Sequence, residues 1–401
     1  MPACLLLVAL IPRQSIKQRS LESAQYLCEG DQFAYMEEGV EGSCIDRYAD
    51  SILLNIAYNL DSDNPLRSVM VTAYYFTPDH EENENYLTAV SDDPGINRQY
   101  LRYWHGSIVF IRPLLTVMNI KGIYTLNAAL LVILFAAFAC MCVKSREYHL
   151  LTAFTLALVI CRAWYAPMCF EYTWMFMLML AGAVIAFTLS RKHMEEYYPV
   201  FFVIIGMCTS FLDFLTTETL TLLMPLLVII WLSRRQPDKA SGLTNPLKYA
   251  SLWFAGYAGM WGAKWLLCSI VMRENALPYV TGHVSERLAG DYGIDSAHPV
   301  AGAIARNISC LFPLGYGAWS VAVFIAMIIA AAYVGFVYHR GSADMKTILV
   351  MTAIALVPYV RYIVLHNHSY LHCFFTYRAQ AATVAAIVLI IAYITEKDNG
   401  R

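Results

Sequence analysis

Carboxylates, guanidiniums and imidazoles cluster in a few polar segments of an otherwise apolar chain. The segment GSCIDRYADSILLNIAYNL sets Asp46 and Asp50 four apart, so a helix here would place both carboxylates on one face beside Arg47. Ile52, Leu53, Ile56 and Leu60 would then lay that helix on a bilayer or a bundle. One carboxylate in such a place acts as a general base or holds a metal; the plainer alternative is solvated charge. The segment RQYLRYWHGSIVFIRPLLTVM spaces Arg102, His105 and Arg112 to approach one anionic group. The planar fork of Arg suits phosphate or pyrophosphate; interfacial anchoring by Trp, Tyr and snorkelling Arg is the alternative. Residues 107–118 are too short to span and are expected to re-enter.

Three further segments carry chemistry. CRAWYAPMCFEY supplies Arg162 and Glu171 at two facing helix ends. SFLDFLTTETLTLLMP puts Asp213 and Glu218 in a short, otherwise apolar turn. Charges at that depth are functional or paired, so these two acids serve a site, pair with Arg162, or help start the next helix with Thr216 and Thr217. The densest cluster is RYIVLHNHSYLHCFFTYRAQ, in which His368 and His372 would share a helical face, with Tyr377 and Arg378 close behind. A metal site is one reading. With no carboxylate in the segment, a phosphate-bearing ligand held by the histidines and Arg378 suits it better. Lys264 lies deep in an apolar run and needs a partner or a wet cavity. The 11 cysteines show no CxxC spacing, although Cys28 and Cys44 share one loop and could pair in an oxidising compartment. There is no Walker A, GxGxxG or GxSxG pattern.

The elements that must position these groups are membrane helices. Of 401 residues, 58% are hydrophobic and only 14% charged, against about 25% charged in a soluble domain. Mean hydropathy is +0.49. A net charge of −2 gives no basic field for nucleic acid. The fold class expected is an all-α polytopic bundle of about nine spans: 124–142, 172–190, 215–232, 249–272, 312–338 and 348–365, with shorter 149–161, 198–212 and 379–394. The organisation expected is a truncated first transmembrane helix over 1–11, and a large extracytoplasmic loop with amphipathic and re-entrant helices over 12–122. The bundle follows over 123–395 with a second outer loop at 273–311, and then a cytoplasmic tail over 396–401. Basic residues follow alternate spans (Lys144, Arg146, Arg191, Lys192, Arg234, Arg235, Lys239, Lys248, Arg340, Lys346), which assigns those short connections to the cytoplasm and the long polar loops to the outside.

This layout resembles the GT-C superfamily of membrane glycosyltransferases, most of all its bacterial RgtA/B/C/D-like members. The residues that carry the resemblance are DRYAD, YWHGSIVFIRPLL after a long polar loop, FLDFLTT and the late HNHSYLHCFFTYR. The superfamily places an acid directly after its first helix; here that place reads PRQSIKQRSLESA, whose first acid is Glu22, so the base falls to Asp46 or Asp50. The resemblance implies transfer of a sugar from a polyprenyl-phosphate donor to a glycan or lipid acceptor at the outer leaflet of a bacterial cytoplasmic membrane. Arg102, His105, Arg112, His368, His372 and Arg378 would bind the donor phosphate, supported by Arg162, Glu171, Asp213, Glu218 and Tyr377. No cofactor is implied, and dependence on a divalent metal stays open. The alternative is a lipid-linked saccharide polymerase, ligase or transporter, for which Lys264 and Pro225 are the midplane candidates.

Overall fold

The structure is a computed structural model that describes residues 1–234, 246–276, 278–279, 281–282, 299–313, 318–338 and 344–396. Residues 277, 280 and 283–298 of the expected outer loop at 273–311, the basic linker residues Arg235 and Lys239, Arg340, and tail residues 397–401 therefore lie outside the described residues.

The polar first hundred residues fold into short helices: α1 (Pro2–Ala9), α2 (Arg13–Leu27), α3 (Arg47–Asn59), α4 (Pro65–Val71), α5 (Glu82–Ser91) and α6 (Ile108–Leu114). One small antiparallel hairpin pairs β1 (Phe33–Tyr35) with β2 (Cys44–Asp46), Phe33 opposite Asp46. The apolar remainder forms α7 (Ile120–Lys144), α8 (Tyr148–Ile160), α9 (Phe170–Arg191), α10 (Tyr198–Leu212), α11 (Leu220–Ser233) and α12 (Pro246–Met272). After these come α13 (Pro299–Leu311), α14 (Ala318–Val337), α15 (Met345–Val364), α16 (His366–Leu371), α17 (Cys373–Thr376) and α18 (Ala381–Thr395).

The all-α expectation holds. Five helical stretches are long and apolar enough to cross a membrane: Ile120–Lys144, Phe170–Arg191, Ala318–Val337, Met345–Val364 and Cys373–Thr395. Tyr148–Ile160 and Leu220–Ser233 are apolar but shorter. The expected count of about nine is thus not reached among the described residues. One reason is visible in α12, whose glycines, tryptophans and Lys264 dilute an otherwise long apolar run. Large apolar side chains of α7 and α14, such as Val132, Ile133, Ile329 and Phe336, face outward, which suits an integral membrane protein.

Packing explains how the long first segment is held. It does not float as a solvated loop: Leu54, Ile56, Tyr58, Trp104, Ile108 and Ile111 share a buried core with Ile120, Phe170, Met175 and Met260. Each such side chain contributes roughly 1.5–3 kcal/mol on burial. Trp104 also donates to the Met260 carbonyl at 2.8 Å. Of the two places expected for helix α3, a bilayer or a bundle, the structure shows the bundle: every residue from Asp50 to Asn59 is buried. Its polar members are satisfied internally: Asn55 donates to the Tyr75 carbonyl at 3.0 Å, and Asn59 to Asn55 Oδ1 at 2.8 Å. Helix α6 packs on α1 and α3.

Within the bundle, α9 packs on α7 and α11, and α10 on α12. The last pair touches through glycine. A Cβ on Gly206 would stand 2.1 Å from the Trp253 carbonyl oxygen, and one on Gly256 would stand 2.2 Å from that of Val203. Such backbone approach is open only to glycine. Lys264, one candidate for a wet midplane site, donates to the Val69 and Met70 carbonyls at 3.1 and 2.9 Å. It caps the C-terminus of α4, where a cation is favoured.

The two ends of the bundle differ in how charge is treated. At one end Glu147 accepts from Arg191 at 2.9 Å, Arg234 at 3.2 Å and the Trp231 indole at 2.9 Å, while Arg234 also meets Glu396 at 3.1 Å. The polar segments singled out from the sequence converge on the other end.

Candidate functional site

Asp46 is the last residue of β2 and the N-cap of α3, where its carboxylate accepts from the Ala49 amide at 2.8 Å. Glu171 sits in the first turn of α9, where the helix dipole favours an anion. The carboxyls of Asp46 and Glu171 are in contact, and both line a cavity of about 730 Å³. Burial raises Asp46 to about 6, against the pull of the Ala49 amide and of the Glu171 carboxyl. Glu171 Oε2 is buried with no donor aimed at it among the described residues.

The opposite wall is cationic and aromatic. Arg98 and Arg102 line the cavity with Tyr48, Tyr74, Tyr100 and Tyr103. The Arg102 guanidinium lies 4.7 Å from the Tyr100 ring centroid, and its Nε is buried without a hydrogen-bond partner among the described residues. That one N–H is left for an anionic ligand, while the rest of the guanidinium meets Tyr100.

Three histidines complete the lining: His105, His368 and His372. His105 is held at φ 52, a conformation that costs a non-glycine residue about 1–2 kcal/mol. Its ring stands among Tyr100 at 5.0 Å, Phe214 at 5.4 Å and Tyr103 at 6.3 Å. Neither ring nitrogen makes a hydrogen bond among the described residues beyond a marginal contact with the Tyr103 backbone. Burial, followed by the charges of Lys264 and Arg102, pushes the His105 ring well below its ordinary value, so it is neutral. It can exchange hydrogen bonds with a ligand but brings no charge to it. His368 and His372 do share a face: their ring centroids are 4.8 Å apart, and His372 stacks on Phe375 at 5.2 Å.

Six residues named from the sequence thus meet in one cavity: Asp46, Arg102, His105, Glu171, His368 and His372. The others stand elsewhere. Asp50 faces away from the cavity, accepting from the Phe170 amide at 2.8 Å and from the Tyr124 hydroxyl; burial raises it well above the carboxylate range. It fastens α3 to the starts of α7 and α9. Arg112 is fully buried and donates to the carbonyls of Ala57, of Leu60 at 3.0 Å and of Ile11 at 2.6 Å. It closes the C-terminus of α3 and cannot also reach a ligand in the cavity.

Arg378, expected at a donor phosphate, donates instead to the Phe374 carbonyl at 2.7 Å and the Gly42 carbonyl at 3.0 Å, beneath the Tyr172 ring. Tyr377 donates to the same Gly42 carbonyl at 2.9 Å and to that of Cys161 at 3.1 Å. Both therefore hold the segment that leads into β2 and Asp46. Glu218 pairs with Arg361 at 2.6 Å, not with Arg162. Arg162 lies 3.6 Å from Glu37 and donates to the Cys310 carbonyl at 3.2 Å. Asp213 accepts from the Leu215 and Thr216 amides at 2.8 and 3.1 Å, which pins the turn after α10; it does not start α11, whose N-cap is Thr219 with no side-chain cap. Cys28 and Cys44 are both free thiols.

Reading the sequence missed Arg98 and the tyrosines. The pattern NRQYLRYW carries the signal: Arg98 and Arg102 are four apart with aromatic residues between them. The arrangement can bind an anionic group against the guanidiniums, stack a ring on tyrosine, and take a proton at Asp46. Comparison with protein-family models, characterised proteins and solved structures finds none that matches the chain.

Proposed function

We propose that this chain is a membrane-embedded glycosyltransferase that moves a sugar from a polyprenyl-phosphate donor to an acceptor hydroxyl at the outer leaflet. The observation that carries the reading is the cavity itself. It joins an acid pair, two guanidiniums and three imidazoles drawn from segments as distant as Asp46 and His372. Its volume of about 730 Å³ falls in the usual range for a small-ligand site, about 300–1,000 Å³. The basic residues Lys144, Arg191 and Arg234 belong to the far end of the bundle, so the positive-inside rule turns the cavity outward.

In this reading the donor phosphate rests on Arg102 and Arg98, and its sugar lies against the tyrosines. Asp46, above about pH 6 a carboxylate, takes the proton of the acceptor hydroxyl. The acceptor oxygen bonds to the anomeric carbon as the bond to the phosphate oxygen breaks. The charge that grows on the leaving phosphate is stabilised by the two guanidiniums already in place at the cavity. A phosphate leaves without protonation, so no acid is needed opposite the base. Neutral His105 hydrogen-bonds sugar hydroxyls. Lys264, the main support for a transporter, spends two of its three donors on backbone carbonyls.

The purified protein in lipid nanodiscs, given a panel of polyprenyl-phosphate sugars, should hydrolyse or transfer at least one of them. Absence of turnover with every donor across a broad acceptor panel would remove this function.

A further inference from the structure

Away from the cavity, a second cluster joins α13 to the histidine segment. Cys310 lies in the last turn of α13 and Cys373 opens α17; both are buried, and both are free thiols. Their sulfurs and a carboxylate oxygen of Glu41 all lie within 4.8 Å of one another. Cys373 donates its S–H to Glu41 Oε1 at 3.0 Å, and the two thiols are in contact. The same Glu41 oxygen is paired with the Arg306 guanidinium.

We infer that Cys310 and Cys373 form a regulatable disulfide that locks the histidine segment onto α13. Two thiols and a carboxylate also resemble a metal-ligand set, but Arg306 already occupies the Glu41 oxygen, and Arg162 stands over the Cys310 carbonyl at 3.2 Å. A dication placed there would meet guanidiniums. The two thiols already touch, and Glu41 is placed to take the Cys373 proton as its sulfur attacks. The oxidant is a small or protein disulfide. The Cys373 thiolate attacks it to give a mixed disulfide and one released thiol. The Cys310 thiolate then displaces the second thiol and closes the internal bond. Two electrons pass from the cysteines to the oxidant, and its two thiols carry off the two protons.

The outward placement under Proposed function supplies the oxidising compartment, so the inference rests on that reading for its setting, though its chemistry can be tested alone. The effect is local. Asn307 already ties α13 to this segment through the Ser369 carbonyl at 2.8 Å and the Thr376 hydroxyl at 2.7 Å. A covalent link one turn further along α13 would remove the remaining freedom of α16, which carries His368.

The test uses the full-length protein in detergent, equilibrated with oxidised glutathione or with dithiothreitol. Samples are quenched in acid, denatured, alkylated with N-ethylmaleimide, digested and mapped by mass spectrometry. The oxidised sample should contain the Cys310 and Cys373 peptides joined, and the reduced sample should carry both alkylated. Cys310→Ser should leave Cys373 alkylatable under both conditions. Amide hydrogen exchange over 366–371 should slow at least about tenfold in the oxidised form.

Full alkylation of both residues after oxidation of folded protein would overturn the inference. So would a link from Cys310 to Cys44, or stoichiometric zinc that Cys373→Ser abolishes. A link that forms without slowing exchange would overturn the locking. Sugar transfer is assayed on the same samples; a link without any transfer strikes the proposed function and leaves the disulfide standing.

Discussion

Replacing Asp46 by Asn separates catalysis from folding. The amide keeps an oxygen for the Ala49 N–H, so the N-cap of α3 survives. It also ends the contact between two carboxyls at the cavity floor. Burial lifts Asp46 from an ordinary 3.8 to about 6, and a difference of that size is worth up to about 3 kcal/mol. Because the folded-state value is the higher one, the term acts in the unusual direction for an acid. Below pH 3.8 it is absent. Between 3.8 and about 6 the unfolded chain has released its proton while the folded chain retains it, so stability falls as pH rises, and above 6 the loss is complete. Asp46→Asn should therefore be at least as stable as the parent at pH 7, and its stability should no longer fall across pH 4–6. Its transfer rate should drop by about 10²–10⁴-fold, the usual contribution of a general base. The parent's kcat/KM should rise with pH through about 6, and the variant should lose that limb. Thermal melts and donor turnover in nanodiscs, taken at matched pH, read both effects. A variant that melts normally and transfers at the parental rate would refute the assignment of the base; one that melts several degrees lower would show that the carboxylate holds the fold.

Arg102→Ala should raise KM for the donor by about 10–100-fold with little change in melting temperature, and Arg102→Lys should recover only part, since the ammonium keeps the charge but not the fork; an unchanged KM would remove the phosphate from Arg102. Arg378→Ala should lose about 1–3 kcal/mol of stability by stranding the buried Phe374 carbonyl and removing one of the two donors on Gly42, with activity falling as Asp46 loses support; normal melting would contradict the placement. Gly206→Ala should cost about 1–3 kcal/mol, because its Cβ would meet the Trp253 backbone and not a side chain free to turn aside, as a chemical or thermal melt would show.

How much of this was legible in the sequence depended on the kind of partner each residue has. Helices are legible from apolar runs, and the polar character of DRYAD, YWHG and HNHSYLH marks them as segments that could meet at one place. Asp46 and Asp50 looked equivalent because spacing assigns a face, and only the N-cap turn shows that one opens on the cavity while the other is sealed against Tyr124. Arg112 and Arg378 were misplaced for a common reason: their partners are backbone carbonyls, which every residue carries and no side-chain pattern marks. Arg361 and Glu218 lie 143 residues apart, and nothing in either segment names the other. The tyrosine wall is ambiguous in the sequence, with interfacial anchoring as an open alternative, because the same residue type serves a bilayer boundary and a ring-binding cavity.

The Gly42 carbonyl links the two sides of the cavity mechanically. Tyr377 and Arg378, from the strand of chain behind the histidines, grip this oxygen, and four residues later the chain becomes Asp46. A Cβ at Gly42 would stand 2.9 Å from both the Cys310 carbonyl oxygen and the Tyr377 ring, so the joint has no slack. The segment that holds the acid and the segment that holds His368 and His372 are therefore fastened to each other at this one oxygen, and a substitution that loosens the grip should disturb the carboxylate and the imidazoles together.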